Sequence, residues 1–521
     1  MQKPSIRSAK QNASTFFSIT RLPPILRTME SLSDTQWDVV ISGTGLQQSL
    51  LALALSRSGK NVLHVDPNEY YGGAEAALSL QEADDWAARH SGPDATPFAG
   101  AQITKESEGL AASRSYNIPL APQLILAQSE LVNQLVSSKA FRQIEFLAVG
   151  SFFIYQAAGA SSEPTLSRIP STREDVFSNT TIPARAKRSL MKFLKFVLDY
   201  DTESQAELWK PSESEPLAEF LEREFKLDDD LQSYVVTLTL SADGKISVGD
   251  GLAAIHRHLT SMGMFGAGFA AVYPKWGGLS EVAQVGCRAG AVGGAVYMLG
   301  TGISEVQRMD SDGETNVQVS LANGVVVKSK TLVQSTKETS TDSVLLSRLI
   351  AVVNSPVSSM LQVVVEGAPT PCAAVVAFPV GSISTDDGTA SGFPIYALVH
   401  SSDTGECPAG QCIVYLSTVS SSTSKSLLGI ALSSFLNAIP TSEPPKCLWR
   451  MHYEQVTGTG SFASEDNIGT FDWITSDLAL NDSILQYVKK AWQFVGGADE
   501  ENYMQFEDRE GVNDDDDAFV N

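Results

Sequence analysis

Between Asp38 and Asp66 the chain runs through a short apolar segment, a glycine turn, a helix-length segment and a second short apolar segment. DVVIS (38–42) and NVLHV (61–65) have the length and the β-branched content of buried strands. The intervening residues 46–58 are apolar on most sides, as in a helix covered by further structure. Strand, helix and strand in that order make a βαβ unit, so the sheet begins parallel and the fold is α/β of Rossmann type. Such a unit holds a dinucleotide with three glycines: one for the turn, one for backbone approach to the diphosphate, one for helix–strand packing. Here Gly43 and Gly45 fill two places, but Gln48 stands in the third, while Asp66 ends the second strand where an acid would grip a ribose. PNEYYGGAEA (67–76) then keeps the pair Gly72-Gly73 between Tyr70-Tyr71 and Ala74-Glu75. Two rings and an extra acid crowd the diphosphate path, so the motif is degenerate and FAD is not expected.

Charge narrows the partners. Against 37 Lys+Arg stand 60 Asp+Glu, a formal net charge of −23 that repels nucleic acid and anionic head groups. Five cysteines at irregular spacing fit reduced thiols, and Cys407 and Cys412 have no second pair nearby to complete a metal site. No run approaches the roughly 20 apolar residues that cross a bilayer, which predicts a cytosolic protein. No Ser-His-Asp, Cys-His or paired-carboxylate arrangement is readable, and the six histidines are scattered.

Patterning along the chain predicts a disordered leader over 1–36 and a composite α/β domain from 37–119 and 267–495. Between these lies an inserted, mainly helical domain (120–266) with a β excursion at 144–169, and an acidic disordered tail follows over 496–521. Residues 84–112 read as a surface excursion and 120–141 as one amphipathic helix. The segments 184–200, 216–225, 230–240 and 251–266 carry wide apolar faces that suit a bundle, and MLQVVVEG, CAAVVAFPV and QCIVYLSTV alternate like antiparallel strands. Ten acids and one arginine fill residues 499–517.

SGTGLQQSLLALALSRSGKNVLHVDPNEYYGG (42–73) resembles the N-terminal signature shared by Rab GDP-dissociation inhibitors and Rab escort proteins. SRSYNIPLAPQLILAQSELVNQLVSS (113–138) and VYPKWGGLSEVAQVGCRAGAVGGAVYML (272–299) are similar to two further blocks of that family. The resemblance implies an FAD-hydroxylase-like composite domain without flavin, carrying an inserted α-helical bundle. It implies binding of Rab GTPases in the GDP form, with the geranylgeranyl group held between helices and transient membrane contact. It also places a Rab-binding face on Tyr71, Arg114, Glu281, Gln284 and Arg288. The last three fall at i, i+3 and i+7, which puts them on one helical stripe. Pro119 replaces the family's usual Asp, and Val296 stands where the inhibitors carry Thr. The turn K-W-G-G (275–278) and the acidic end look like the fungal escort proteins, which present Rabs to the Rab geranylgeranyl transferase α/β heterodimer and perform no bond chemistry themselves. The alternatives are a recycling inhibitor and, in a different class, an FAD-dependent oxidoreductase.

Overall fold

The computed structural model describes residues 29–506 apart from 94–95, 106–107, 158–163, 171–175, 177–182, 312–313, 442 and 498–502. The basic leader 1–28 and the acidic residues from 507 onward lie outside the described residues. The ordered body starts earlier than the sequence pattern implies. A short helix, Met29–Asp34, precedes the first strand because the Trp37 indole reaches back to the Leu32 carbonyl (3.1 Å) and buries Leu32 beneath it. At the other end Tyr503–Phe506 folds back rather than trailing away: Tyr503 packs edge-on against Trp492, and Arg57 lies 5.6 Å over the Phe506 ring.

The βαβ unit is present. Strand Gln36–Ser42 pairs in parallel with Val62–Val65, which pairs in parallel with Val296–Met298; on the other side the first strand pairs with Val326–Ser335. Helix Leu46–Arg57 crosses over between the first two, and Leu46 through Ser56 are all buried, which explains why its sequence is apolar all round. It is covered by helices Leu279–Val292 and Ser483–Phe494. Antiparallel strands Glu314–Leu321 and Ile303–Ser311 extend this eight-stranded sheet.

A ten-stranded, mostly antiparallel sheet forms the second layer, from edge strand Phe98–Lys105 through Cys447–Thr457, Val344–Val353, Cys412–Val419, Ile395–Ser401 and Ala373–Phe378 to Phe146–Gln156, Ala271–Pro274 and Ile125–Leu126. Three expectations change here. Residues 84–112 are no surface excursion: helix Leu80–Arg89, closed at its start by a Ser79–Glu82 capping box, buries Trp86 against Phe98 and Tyr453. The stretch 120–141 is not one helix, because LAPQLILA runs extended and pairs with Ala271 and Val272, leaving only Glu130–Ser137 helical. MLQVVVEG forms no strand; Val363 and Val364 stand exposed in a loop.

The predicted strand pair around 144–169 is formed by Phe146–Gln156 and Thr165–Arg168, but it belongs to the large sheet. The helical unit is therefore narrower than 120–266. It comprises Ala184–Leu198, Glu203–Trp209, Leu217–Phe220 with a wide turn through Phe225, Asp229–Leu238 and Val248–Ser261. Phe193, Phe196, Phe220 and Phe225 interlock at its centre, with ring centroids 5.1 Å apart for Phe196 and Phe225. No helix among the described residues is long and apolar enough to cross a membrane.

Candidate functional site

Helix Leu279–Val292 follows the sharp Gly277-Gly278 turn. Its inner face, Val282, Val285, Gly286 and Ala289, is buried, and Gly286 brings the helix within 3.4 Å of the Ser49 carbonyl, measured from where a Cβ would stand. That packing leaves Glu281, Gln284 and Arg288 on the outward stripe. Arg288, with its side chain 57% exposed, donates from Nη2 to Glu281 Oε1 at 2.7 Å. Partial burial pushes the Glu281 pKa up, against the pull of Arg288. Gln284 donates to Ser280 Oγ at 3.4 Å, and the same hydroxyl receives the Ala77 N–H.

Tyr71 joins this stripe. Its half-buried ring stands edge-on to Tyr297 (6.5 Å), which tilts onto His64 (5.0 Å). Burial raises the Tyr71 pKa, with the Cys287 thiol and Asp66 as further influences, so the phenol lies beside the residue that precedes Arg288. Burial also pushes Cys287 up to about 11, which makes it an inert thiol capping Ser49 at 3.3 Å. Arg114 is exposed on the one-turn helix Ser113–Ser115. It reaches the same region through backbone: Ile118–Pro119 pairs with Ala77–Leu78. Among the described residues no hydrogen bond or ion pair joins Arg114 to the other four.

Sequence reasoning assigned no role to Trp276, although K-W-G-G was noted. Trp276 is 52% exposed at φ +70°, five residues before Glu281, with its ring lying flat over Gly405. Its N–H donates to Thr404 O (2.8 Å) and its carbonyl accepts from Asn117 Nδ2 (2.5 Å). The turn that carries Thr404 is locked from below. Fully buried Glu406 accepts from Tyr273 Oη (2.7 Å) and Tyr415 Oη (2.8 Å) and contacts His400 Nδ1 (2.8 Å). Burial and the Glu406 carboxylate hold both tyrosines far above the ordinary phenol pKa. These partners are up to 133 residues apart, so no local pattern could have announced them.

The degenerate motif lies behind this face. Gly43 and Gly45 open the turn, and Asp66 sits at its base as the βαβ reading requires. All the oxygen valences of Asp66 are taken internally: Oδ2 accepts the Thr44 N–H and hydroxyl (both 2.7 Å), and Oδ1 accepts the Asn68 N–H (2.8 Å) and side-chain amide (3.0 Å). At the helix start, Glu75 lies fully buried against the Leu46 N–H, where a dinucleotide presents phosphate. Glu75 Oε2 and Gln48 Oε1 both come within 3.3 Å of the point a Gly45 Cβ would occupy, and Gln48 is fixed by Ser335 Oγ (2.6 Å). Gly73, at φ +52°, brings its own backbone against Gly45, so that a Cβ there would meet Gly45 N at 3.2 Å. A cleft of about 420 Å³ remains over this turn, lined by Gly43, Gly45, Gln48, Gly73 and Glu75 as well as Asp66 and Asn68, and it extends to Asp472 and Trp473. A lining with a carboxyl at the helix N-terminus and a saturated ribose-type acid does not fit the diphosphate of a flavin dinucleotide. Among the described residues no cluster of three or more His, Cys, Asp or Glu is arranged to hold a metal.

A parallel dinucleotide-type sheet fused to a large antiparallel sheet, with a helical unit appended and Glu75 and Gln48 turned into the nucleotide cradle, defines a flavoprotein-like scaffold that carries a polar helix-borne face. The chain belongs to the GDP dissociation inhibitor family, whose model matches residues 33–365. It is similar to "Rab proteins geranylgeranyltransferase component A" of Saccharomyces cerevisiae, 29% identical over 80% of this chain and 67% of that protein. The Candida albicans protein of the same name is 30% identical over 73% of this chain and 59% of its own length. The chain thus spans about three-fifths to two-thirds of these relatives. Among solved structures, a Rab GDI of Plasmodium falciparum shares the fold with a TM-score of 0.63, at 18% identity over 89% of this chain and 98% of that one.

Proposed function

We propose that this chain is a Rab escort protein: it binds Rab GTPases in the GDP form, presents their C-terminal cysteines to the Rab geranylgeranyl transferase heterodimer, and carries the lipidated product through the cytosol to membranes. The match over four-fifths of the chain to a protein named as component A of that transferase carries this reading. The geometry supports it. Trp276 and Arg288 stand exposed, with Tyr71, Glu281 and Gln284 half-buried, and Trp, Tyr and Arg are the residue types that protein interfaces concentrate.

Bond chemistry is not part of this role, and a flavin is not expected, since Glu75 and Gln48 crowd the Gly45 turn that its diphosphate would approach. The isoprenyl group belongs in the helical unit. Hiding about 20 carbons at ~0.8 kcal/mol per CH₂ gives a gross drive on the order of 10 kcal/mol toward burial between its helices. Phe193 and Phe196 are core residues of this closed unit, whereas Met264 and Phe265 stand exposed beside it.

Reconstitution tests the proposal. GDP-loaded Rab, both transferase subunits and geranylgeranyl diphosphate are combined with and without this chain. Lipid transfer that depends on the chain is expected; Rab binding without supported transfer makes it a dissociation inhibitor instead.

A further inference from the structure

On the far side of the ten-stranded sheet, helix Ser424–Ala438 leaves a groove of about 520 Å³ between itself and edge strand Phe98–Lys105. Its floor is set by register: Leu349, His452 and Gln102 stand opposite one another on three adjacent strands, and Arg450 stands opposite Thr104. The groove is lined by Lys425, Arg450 and His452 together with hydroxyl and amide groups from Gln102, Thr104, Ser426, Ser433, Ser434 and Asn437, and by no acid. In a protein with 60 Asp+Glu against 37 Lys+Arg, that local inversion of charge is a built feature.

Two cations and a row of hydroxyl and amide groups point to one ligand chemistry. Lys425 and Ser426 lie in the first turn of the helix, and the Lys425 ammonium is bonded to Gln102 Oε1 across the groove. The guanidinium of Arg450 crosses Gly429, its Nη1 being the atom nearest the position a Cβ would take, at 3.9 Å. His452 is 92% buried; Ser347 Oγ holds its Nε2 at 2.9 Å while Nδ1 has no partner. Burial, reinforced by Lys425, pushes the His452 pKa down to about 4, so the ring is neutral near pH 7.

We propose that this groove binds a phosphorylated polyol, its phosphoryl oxygens taken by Lys425 and Arg450 and its hydroxyls by Thr104, Ser433, Ser434 and Asn437. The groove is larger than one phosphate needs, and the row of small hydroxyl and amide groups suits an alcohol-rich body. Such a ligand reaches the protein either free in solution or as the head group of a membrane lipid. Binding is measured with full-length protein by calorimetry using inositol 1,4-bisphosphate, and by co-sedimentation with phosphatidylcholine vesicles with and without 5% phosphatidylinositol 4-phosphate. Saturable binding of the soluble probe identifies the free source, and retention by phosphoinositide vesicles alone identifies the lipid source. Either must fall at least fivefold in Lys425→Ala, whose side chain is exposed and whose melting temperature serves as the folding check. The proposal is overturned if neither probe binds, or if binding survives both Lys425→Ala and Arg450→Gln.

Discussion

Glu75 offers a sharp physical test of the altered cradle. Its carboxyl is fully buried, and burial raises its pKa from the ordinary 4.5 to about 7. At ~1.4 kcal/mol per pH unit this is roughly 3 kcal/mol. The sign follows from which state holds the proton. Between pH 4.5 and 7 the unfolded chain has released it while the folded protein retains it, so Glu75 lowers stability progressively as pH rises through that window and by a constant amount above it. Glu75→Gln keeps the shape and cannot ionise. The variant is therefore expected to match the wild type near pH 4.5 and to exceed it by up to roughly 3 kcal/mol at pH 8. Urea unfolding followed by tryptophan fluorescence, at half-unit steps from pH 4.5 to 8, reads the difference; other titrating groups cancel between the two proteins. A wild type that is more stable than the variant at pH 8 refutes the reasoning, because it means that the helix N-terminus holds Glu75 as an anion.

Arg288→Ala is expected to weaken GDP-Rab binding at least tenfold in a fluorescence titration with little change in melting temperature, since an exposed ion pair such as Arg288–Glu281 contributes about 0–1 kcal/mol. Glu406→Ala should destabilise the protein by roughly 3–5 kcal/mol in chemical denaturation, because it strands two tyrosine hydroxyls and an imidazole in the core. The purified protein should lack absorbance near 450 nm and should acquire none after incubation with FAD and gel filtration.

Much of the scaffold was legible because it rests on local periodicity. The βαβ unit announced itself through Val39–Ile41, the all-round apolar helix 46–57 and Val62–Val65, and the i, i+3, i+7 spacing of Glu281, Gln284 and Arg288 placed them on one stripe before any coordinates. Periodicity misled where pairing with distant strands decided the conformation. LAPQLILA has helix-like spacing, yet Ile125 and Leu126 are drawn into extended pairing with 271–272, while Ser129 and Glu130 mark the true helix start. A readable signal was passed over at Ser79-Leu-Gln-Glu82, a capping box that begins the helix burying Trp86. What the one-dimensional pattern does not carry is convergence: Glu406 beneath Trp276, or Glu75 turning from a mere obstruction into the group that occupies the helix N-terminus.

Hydrogen–deuterium exchange on the full chain, with and without GDP-loaded Rab, tests the docking face most directly. Slowed exchange concentrated in residues 70–78, 113–118 and 274–288 is predicted, diminished by Arg288→Ala. Unchanged exchange there, with protection appearing on another surface, would contradict the assignment of this face.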